Sequence, residues 1–156
     1  MNQNFGFMEK LIPKIISGEK YVTNRPYSKS RKKCRIGDTM HIFKKFRTKE
    51  VKKTCDAKVI DRFIWKINNA PKTLKSAIRR PLLDIKGRKI QLKNNHNPNW
   101  FDFCVADGLV NYQDFYDYFS NHPKKAQVFF CYVFEKIDLS KIYHSILEWL
   151  EVRNQT

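Results

Sequence analysis

A chain of 156 residues with 42% hydrophobic and 14% aromatic content is long enough for one domain with a real core and too apolar to be disordered. Its 31 Lys and Arg against 15 Asp and Glu give a formal net charge of +16. The excess lies upstream: residues 1–100 carry 26 basic and 7 acidic side chains, and residues 101–156 carry 5 and 8. Such self-repulsion points to a polyanionic partner, RNA or a nucleotide, with solubility and an anionic membrane surface as the other readings of charge alone. No run approaches 18 apolar residues, so no membrane span is expected. Cys34, Cys55, Cys104 and Cys131 are scattered, without a CxxC pair or clustered histidines. That pattern predicts no metal site and no cofactor anchored by one, but free thiols in a reducing compartment. The first residues lack a basic segment leading into a long apolar core, so no signal peptide is expected and the protein reads as cytoplasmic.

In chain order, residues 7–17 place Phe7, Met8, Leu11, Ile12, Ile15 and Ile16 at helical spacing. Pro13 either sits in the first turn of a shorter helix or kinks a longer one, and Gly18 is the stop. Residues 19–25 read as a short strand and 27–35 as a basic loop. Gly37-Asp38 reads as a turn, and 39–47 as a strand with Met40 and Ile42 on one face. A longer strand is expected over 55–67, with Ala57, Val59 and Ile64 inward. A short helix within 68–80 would use Leu74 and Ile78, a hairpin would turn at Lys86-Gly87, and 94–99 would be loop. Residues 111–121 read as a helix capped by Asn111, with Tyr112, Phe115, Tyr116 and Phe119 buried. The apolar run 127–134 reads as a central strand buried on both faces. Residues 139–150 form an amphipathic stripe of Leu139, Ile142, Ile146, Trp149 and Leu150. The order is not a regular βαβ alternation, so a mixed α+β domain or small barrel with helices around it is expected.

Phosphate-binding glycine loops and the common hydrolase and metalloprotease signatures are absent. The segment Gly18-Glu19-Lys20-Tyr21-Val22-Thr23-Asn24-Arg25 stands out because it follows a helix stop. Thr23 and Arg25 share a strand face. Lys20 joins them only if it lies in the bend before the strand or if a bulge resets the pleat. A lysine, a hydroxyl and an arginine together suit a phosphate, a carboxylate or a polarised carbonyl. An exposed edge with solvated charges is the plainer reading of the same residues.

This GxKxxTxR segment, followed by Gly37-Asp38-Thr39-Met40-His41-Ile42-Phe43, resembles the ASCH domain family. Val105-Ala106-Asp107-Gly108-Leu109, then Tyr112, Asp114, Phe115 and Phe119, resembles a second segment of that family. The resemblance runs from about residue 5 to about residue 134. It implies one domain over 1–156, with 68–98 as an insertion and a C-terminal helix over 138–151 as an addition. The implied fold is PUA-like: a small, mostly antiparallel β-barrel with flanking helices. The implied function is binding of RNA, a nucleotide or a modified nucleoside in a cleft lined by the motif. The alternative is a hydrolase, either an amidohydrolase deacetylating acetylcytidine-type nucleosides or a ribonuclease.

Lys20 and Thr23 match the motif's lysine and threonine. Asp107 stands where the family's acid lies, one methylene shorter than the glutamate of the amidohydrolase branch. On the catalytic reading, Lys20 is a base of lowered pKa and Thr23 supplies a hydroxyl. Asp107 carries the proton, and Arg25 holds an oxyanion or phosphate. Lys20, Thr23, Arg25 and Tyr27 would contact the ligand, Tyr27 by stacking. Lys29, Arg31, Lys32, Lys33, Arg35, Lys44, Lys45 and Arg47 would contact nucleic acid, continued by Arg79-Arg80 and by Lys86 to Lys93. Phe43, Phe63 and Trp65, near these cations in sequence, read as core.

Overall fold

The computed structural model describes residues 2–29 and 34–155. Strand β1 (Asn2–Phe7) leads through a short 3-10 turn to helix α1 (Ile12–Ser17). Strands β2 (Val22–Pro26), β3 (Thr39–Lys44) and β4 (Lys52–Lys66) follow. Helices α2 (Leu74–Arg79), α3 (Trp100–Ala106) and α4 (Tyr112–Ser120) come next. Strand β5 (Val128–Lys136) and helix α5 (Leu139–Asn154) complete the chain. The sheet runs β1-β3-β4-β5-β2. β1 is parallel to β3, and every other pairing is antiparallel. This is the α+β, mostly antiparallel architecture expected from the sequence.

The sheet is curled. Phe5 on β1 packs edge-on against Tyr132 on β5 at 5.6 Å, although β3 and β4 lie between them in the sheet. The two end strands do not pair with each other, so the curl is a half-barrel with a seam between β1 and β2.

Two cores follow from the two faces. Inside the curl, Phe5, Phe7, Met40, Ile42, Ala57, Val59, Tyr132 and Phe134 close on Ile12 and Ile15 of α1. Outside it, Trp65 is fully buried among Trp100, Phe103, Phe115, Phe119 and Phe129, contributed by α3, α4 and β5. β5 supplies Phe130, Tyr132 and Phe134 to the first core and Phe129, Cys131 and Val133 to the second. The continuous apolar run of 127–134 is therefore the signature of burial on both faces.

β4 serves both cores by a different device. Its register against β5 shifts between Val59 and Asp61, which makes Ile60 an extra residue. Before it, Ala57 and Val59 face the inside of the curl; after it, Phe63 and Trp65 face the helices and Ile64 faces the inside.

Several expectations are corrected. Residues 2–7 are a strand, and the helix predicted from residue 7 begins at Ile12 with Pro13 in its first turn, where a missing N–H costs nothing. Gly18 ends that helix at φ 86°. In α2, Leu74 and Ile78 are half exposed and Ala77 is the buried residue. The 82–93 segment does reverse at Lys86-Gly87, its arms joined by the antiparallel Leu83–Lys89 bridge and by the Asp84 and Ile90 N–H groups donating to the Arg88 and Leu82 carbonyls. The 94–99 loop ends in a helix not expected from the sequence: Asn99 and Asp102 form a reciprocal capping box that starts α3. On α5, Ile146, Trp149 and Leu150 are exposed; the side chains of Leu139 and Ile142 lie outside the described residues. No helix among the described residues is long and apolar enough to cross a membrane, and none of their His, Cys, Asp and Glu side chains form a metal-binding group of three.

Candidate functional site

The site grows from the end of α1. After Gly18 the chain bends, and Lys20 and Tyr21 precede the first residue of β2. The Tyr21 N–H donates to the Ala106 carbonyl and the Phe134 N–H donates to the Tyr21 carbonyl, at 3.0 and 2.9 Å. The bend is thereby wedged between the C-terminus of α3 and β5. Because Lys20 precedes the pleat, its side chain is not bound by strand alternation. It turns to the same place as Thr23 and Arg25.

Lys20 is 3% exposed. Its Nζ donates to Asp107 Oδ1 at 2.7 Å, to the Asp107 carbonyl at 2.8 Å and to the Val22 carbonyl at 2.7 Å. An ammonium has three N–H groups, so all of its donors are used. The Asp107 carbonyl at the C-terminus of α3 adds the negative end of a helix dipole. Burial drives the Lys20 pKa down, opposed by the Asp107 charge; burial drives Asp107 up, opposed by Lys20. Both shifts favour the neutral forms, but three acceptors around one nitrogen fit an ammonium facing a carboxylate.

Gly108, at φ 88°, packs directly on the Lys20 stem: a Cβ there would lie 3.2 Å from Lys20 Cδ. The Lys14 ammonium donates to the Gly108 carbonyl at 2.6 Å, tying α1 to the same turn. Asp107 thus supplies the counter-charge, and Gly108 leaves room for the lysine.

Thr23 is buried, and its Oγ1 accepts from Arg25 Nε at 3.3 Å. Arg25 also donates from its guanidinium to the Gly6 carbonyl at 2.8 Å, and lies over the Phe7 and Phe5 rings at 5.0 and 5.4 Å. Asn24 turns its Oδ1 to Trp65 Nε1, which donates at 2.8 Å, while its amide side borders the cleft and favours the charged form of Asp107.

Lys20, Thr23, Arg25 and Asp107 line one cleft of about 450 Å³ along the seam between β1 and β2. The structure adds lining residues that sequence reasoning missed: Lys10, Tyr118, His122 and Lys124. His122 Nδ1 accepts from the Lys124 N–H at 3.2 Å, so its neutral ring carries the proton on Nε2. Burial and the Lys124 charge lower its pKa. For His122 and Lys124 the sequence signal is the run His122-Pro123-Lys124-Lys125 that follows α4; Lys10 and Tyr118 have none.

The other predicted contacts lie elsewhere. Tyr27 stacks on Phe130, centroids 5.0 Å apart and planes 13° from parallel, outside the cleft lining. Lys29 and Arg35 are exposed and do not line it. Arg31, Lys32 and Lys33 lie outside the described residues. Lys44 pairs with Glu9 at 3.6 Å and Lys45 with Glu50 at 2.6 Å, so acids interrupt the basic surface there. The Arg47 guanidinium lies 5.7 Å from the Phe46 centroid.

No protein-family model matches the chain, and no curated protein matches it in sequence. Among solved structures it is similar to hypothetical protein PH0355, with a TM-score of 0.50 at 15% identity over 88% of this chain and 100% of that one. The two share a fold. Also matched are two mutants of ZmASCH from Zymomonas mobilis. An alanine-for-serine mutant gives a TM-score of 0.48 at 9% identity, over 91% of this chain and 78% of that one. A phenylalanine-for-tyrosine mutant gives 0.45 at 10%, over 91% and 79%.

Proposed function

We propose that this chain is an ASCH-like module that binds RNA or a nucleotide-like ligand in the seam cleft. The observation that supports it is the convergence of Thr23 and Arg25 on a hollow also lined by Lys10, Lys124 and His122, with Asp107 and Asp114 as its acids. Cations and hydrogen-bonding groups around a cleft with an aromatic wall, Tyr118 and Phe119, suit a phosphate-bearing base. The Lys20–Asp107 pair supports this reading as a structural clamp. With its three donors consumed by protein acceptors, Lys20 holds α3 against β2 and sets the back of the cleft.

The hydrolase reading draws on a different observation. Burial pushes Lys20 down and Asp107 up, the directions that a lysine base and a proton-carrying acid need, and the Lys20 ammonium would first have to give up one of its three hydrogen bonds. Such an amidohydrolase would release acetate from acetylcytidine at a rate insensitive to salt.

The deciding experiment is a fluorescence-anisotropy titration of a labelled single-stranded RNA at several salt concentrations. Binding should weaken with a log–log slope of about −0.7 per phosphate contact. Thr23→Val, which keeps the β-branched shape and removes the hydroxyl, should weaken it at least about tenfold. Equal affinity in Thr23→Val, Lys124→Glu and the unmodified protein would remove the cleft from the binding site.

A further inference from the structure

A second groove of about 520 Å³ lies between β4 and the turn at 84–91. We propose that it is an extension subsite: it takes the continuation of a single RNA strand, one nucleotide of which occupies the seam cleft. This rests on the reading of the cleft given above and adds the class of ligand, a strand rather than a lone nucleoside.

Strand register joins the two hollows. Arg25 is paired with Phe130, and Phe130 with Ile64; Thr23 is paired with Tyr132, and Tyr132 with Arg62. Directly paired residues lie on the same face of a sheet. Arg25 and Thr23 line the cleft, whereas Ile64 and Arg62 line the groove, and Phe130 forms part of the groove's wall. The two hollows are thus the ends of the same cross-strand rows, two strand spacings or about 10 Å apart. Tyr27, 41% exposed, lays one ring face on Phe130, the residue that links Arg25 to Ile64 in its row. Its exposed area offers a stacking platform on the path from one hollow to the other.

The groove's chemistry fits a phosphate backbone. Asp84 is consumed inside the turn: Oδ1 accepts from the Lys86 and Arg88 N–H groups at 2.8 and 2.9 Å, and Oδ2 accepts from Arg88 Nε at 2.8 Å. The Ile85 N–H donates to the Ile64 carbonyl at 2.7 Å and fixes the turn to β4. Arg62 lies over the Phe130 ring at 5.8 Å and donates to the Cys34 carbonyl at 2.6 Å. The second acid, Asp61, accepts from the Arg62 N–H at 2.7 Å. The clamped turn therefore fixes the backbone that carries exposed Lys86 and Lys89 beside an aromatic wall, with Arg88 ion-paired to Asp84. A neutral nucleoside confined to the cleft would reach none of them.

The test titrates fluorescein-labelled oligouridylates of 12 and 3 nucleotides against the full chain. Lys86→Glu with Lys89→Glu should weaken the 12-mer at least about tenfold and flatten its salt slope by about 1.4, two single-strand contacts. Tyr27→Ala should weaken the 12-mer about tenfold with the slope unchanged. The 3-mer should bind the charge-reversed protein as tightly as the unmodified one, which also reports that the variant is folded. If Thr23→Val weakens the 12-mer and the charge reversal does not, the groove proposal is overturned and the cleft stands. If the unmodified protein binds neither oligomer, both fall.

Discussion

The Arg25 guanidinium on the last strand of the sheet donates to the Gly6 carbonyl on the first, at 2.8 Å. No backbone ladder joins β1 to β2, so this side chain, resting on the Phe5 and Phe7 rings, is a stitch across the seam. A lysine keeps the charge but loses the planar fork and the Nε–H that reaches Thr23. Arg25→Lys should lower stability by about 1–3 kcal/mol in urea unfolding. Amide exchange should quicken in β1 more than in β5. Uniform protection in both strands would mean that the stitch does not hold the seam.

Gly108 makes a second demand on the same cleft. Its φ of 88° disfavours any L side chain, and an added Cβ would crowd Lys20 Cδ and Cβ at 3.2 and 3.3 Å. Gly108→Ala should cost about 1–3 kcal/mol in thermal or urea unfolding. RNA affinity should fall with it, because the Lys20 stem has to move. An alanine variant as stable as the unmodified protein would show that the turn relaxes at no cost.

The thiols give a chemical readout of the two cores. Cys34, Cys104 and Cys131 are buried and Cys55 is half buried. Burial pushes the Cys104 thiol up to about 12 and Cys131 and Cys55 above their ordinary value. Since the thiolate is the reactive form, an aromatic disulfide reagent at pH 8 should label Cys55 slowly and the other three only after unfolding. Rapid labelling of Cys104 in the folded protein would contradict the packing of α3.

How much of this was legible in the sequence depends on whether a signal was local. Gly18 as a helix stop is local chemistry and was readable; Pro13 left two choices, a first turn or a kink, and the strand before it decides for the first turn. The place of Lys20 was readable only as a condition, since whether a residue lies in a bend or a strand is decided by what it is wedged between. β1 was hidden because Phe5 and Phe7 alternate over only a few residues and Phe7 also fits the helical stripe that follows. It is a strand because β3 pairs with it. The Ile60 bulge leaves no mark in composition, yet it decides which core receives Trp65. The capping box Asn99-x-x-Asp102 is spelled out in the sequence, but the polar residues before it read as loop. Helix α5 marks the limit of periodicity: the pattern predicts an apolar face and says nothing of what it meets.

The Lys20–Asp107 pair carries the sharpest prediction, because each buried group is the other's largest charge partner, with Arg25 acting on both. Lys20→Met leaves Asp107 in the same hollow without its ammonium partner, and Asp107→Asn leaves the Lys20 ammonium with carbonyl acceptors alone. Each single change should cost about 3–5 kcal/mol. The double variant Lys20→Met with Asp107→Asn should cost less than the sum, giving a coupling of at least about 1 kcal/mol. The pH dependence has a definite sign. Burial already raises the Asp107 pKa above its ordinary value, and removing Lys20 takes away the largest opposing influence. Between the unfolded carboxylate range and that raised value, the folded Lys20→Met protein binds more protons than the unfolded chain, so its stability falls as pH rises. Urea unfolding from pH 4 to pH 8 should therefore show Lys20→Met closest to the unmodified protein in acid, with the gap widening toward neutrality. A constant gap across that range would mean that Asp107 is hydrated when its partner is gone, and that the pair is not a sealed clamp.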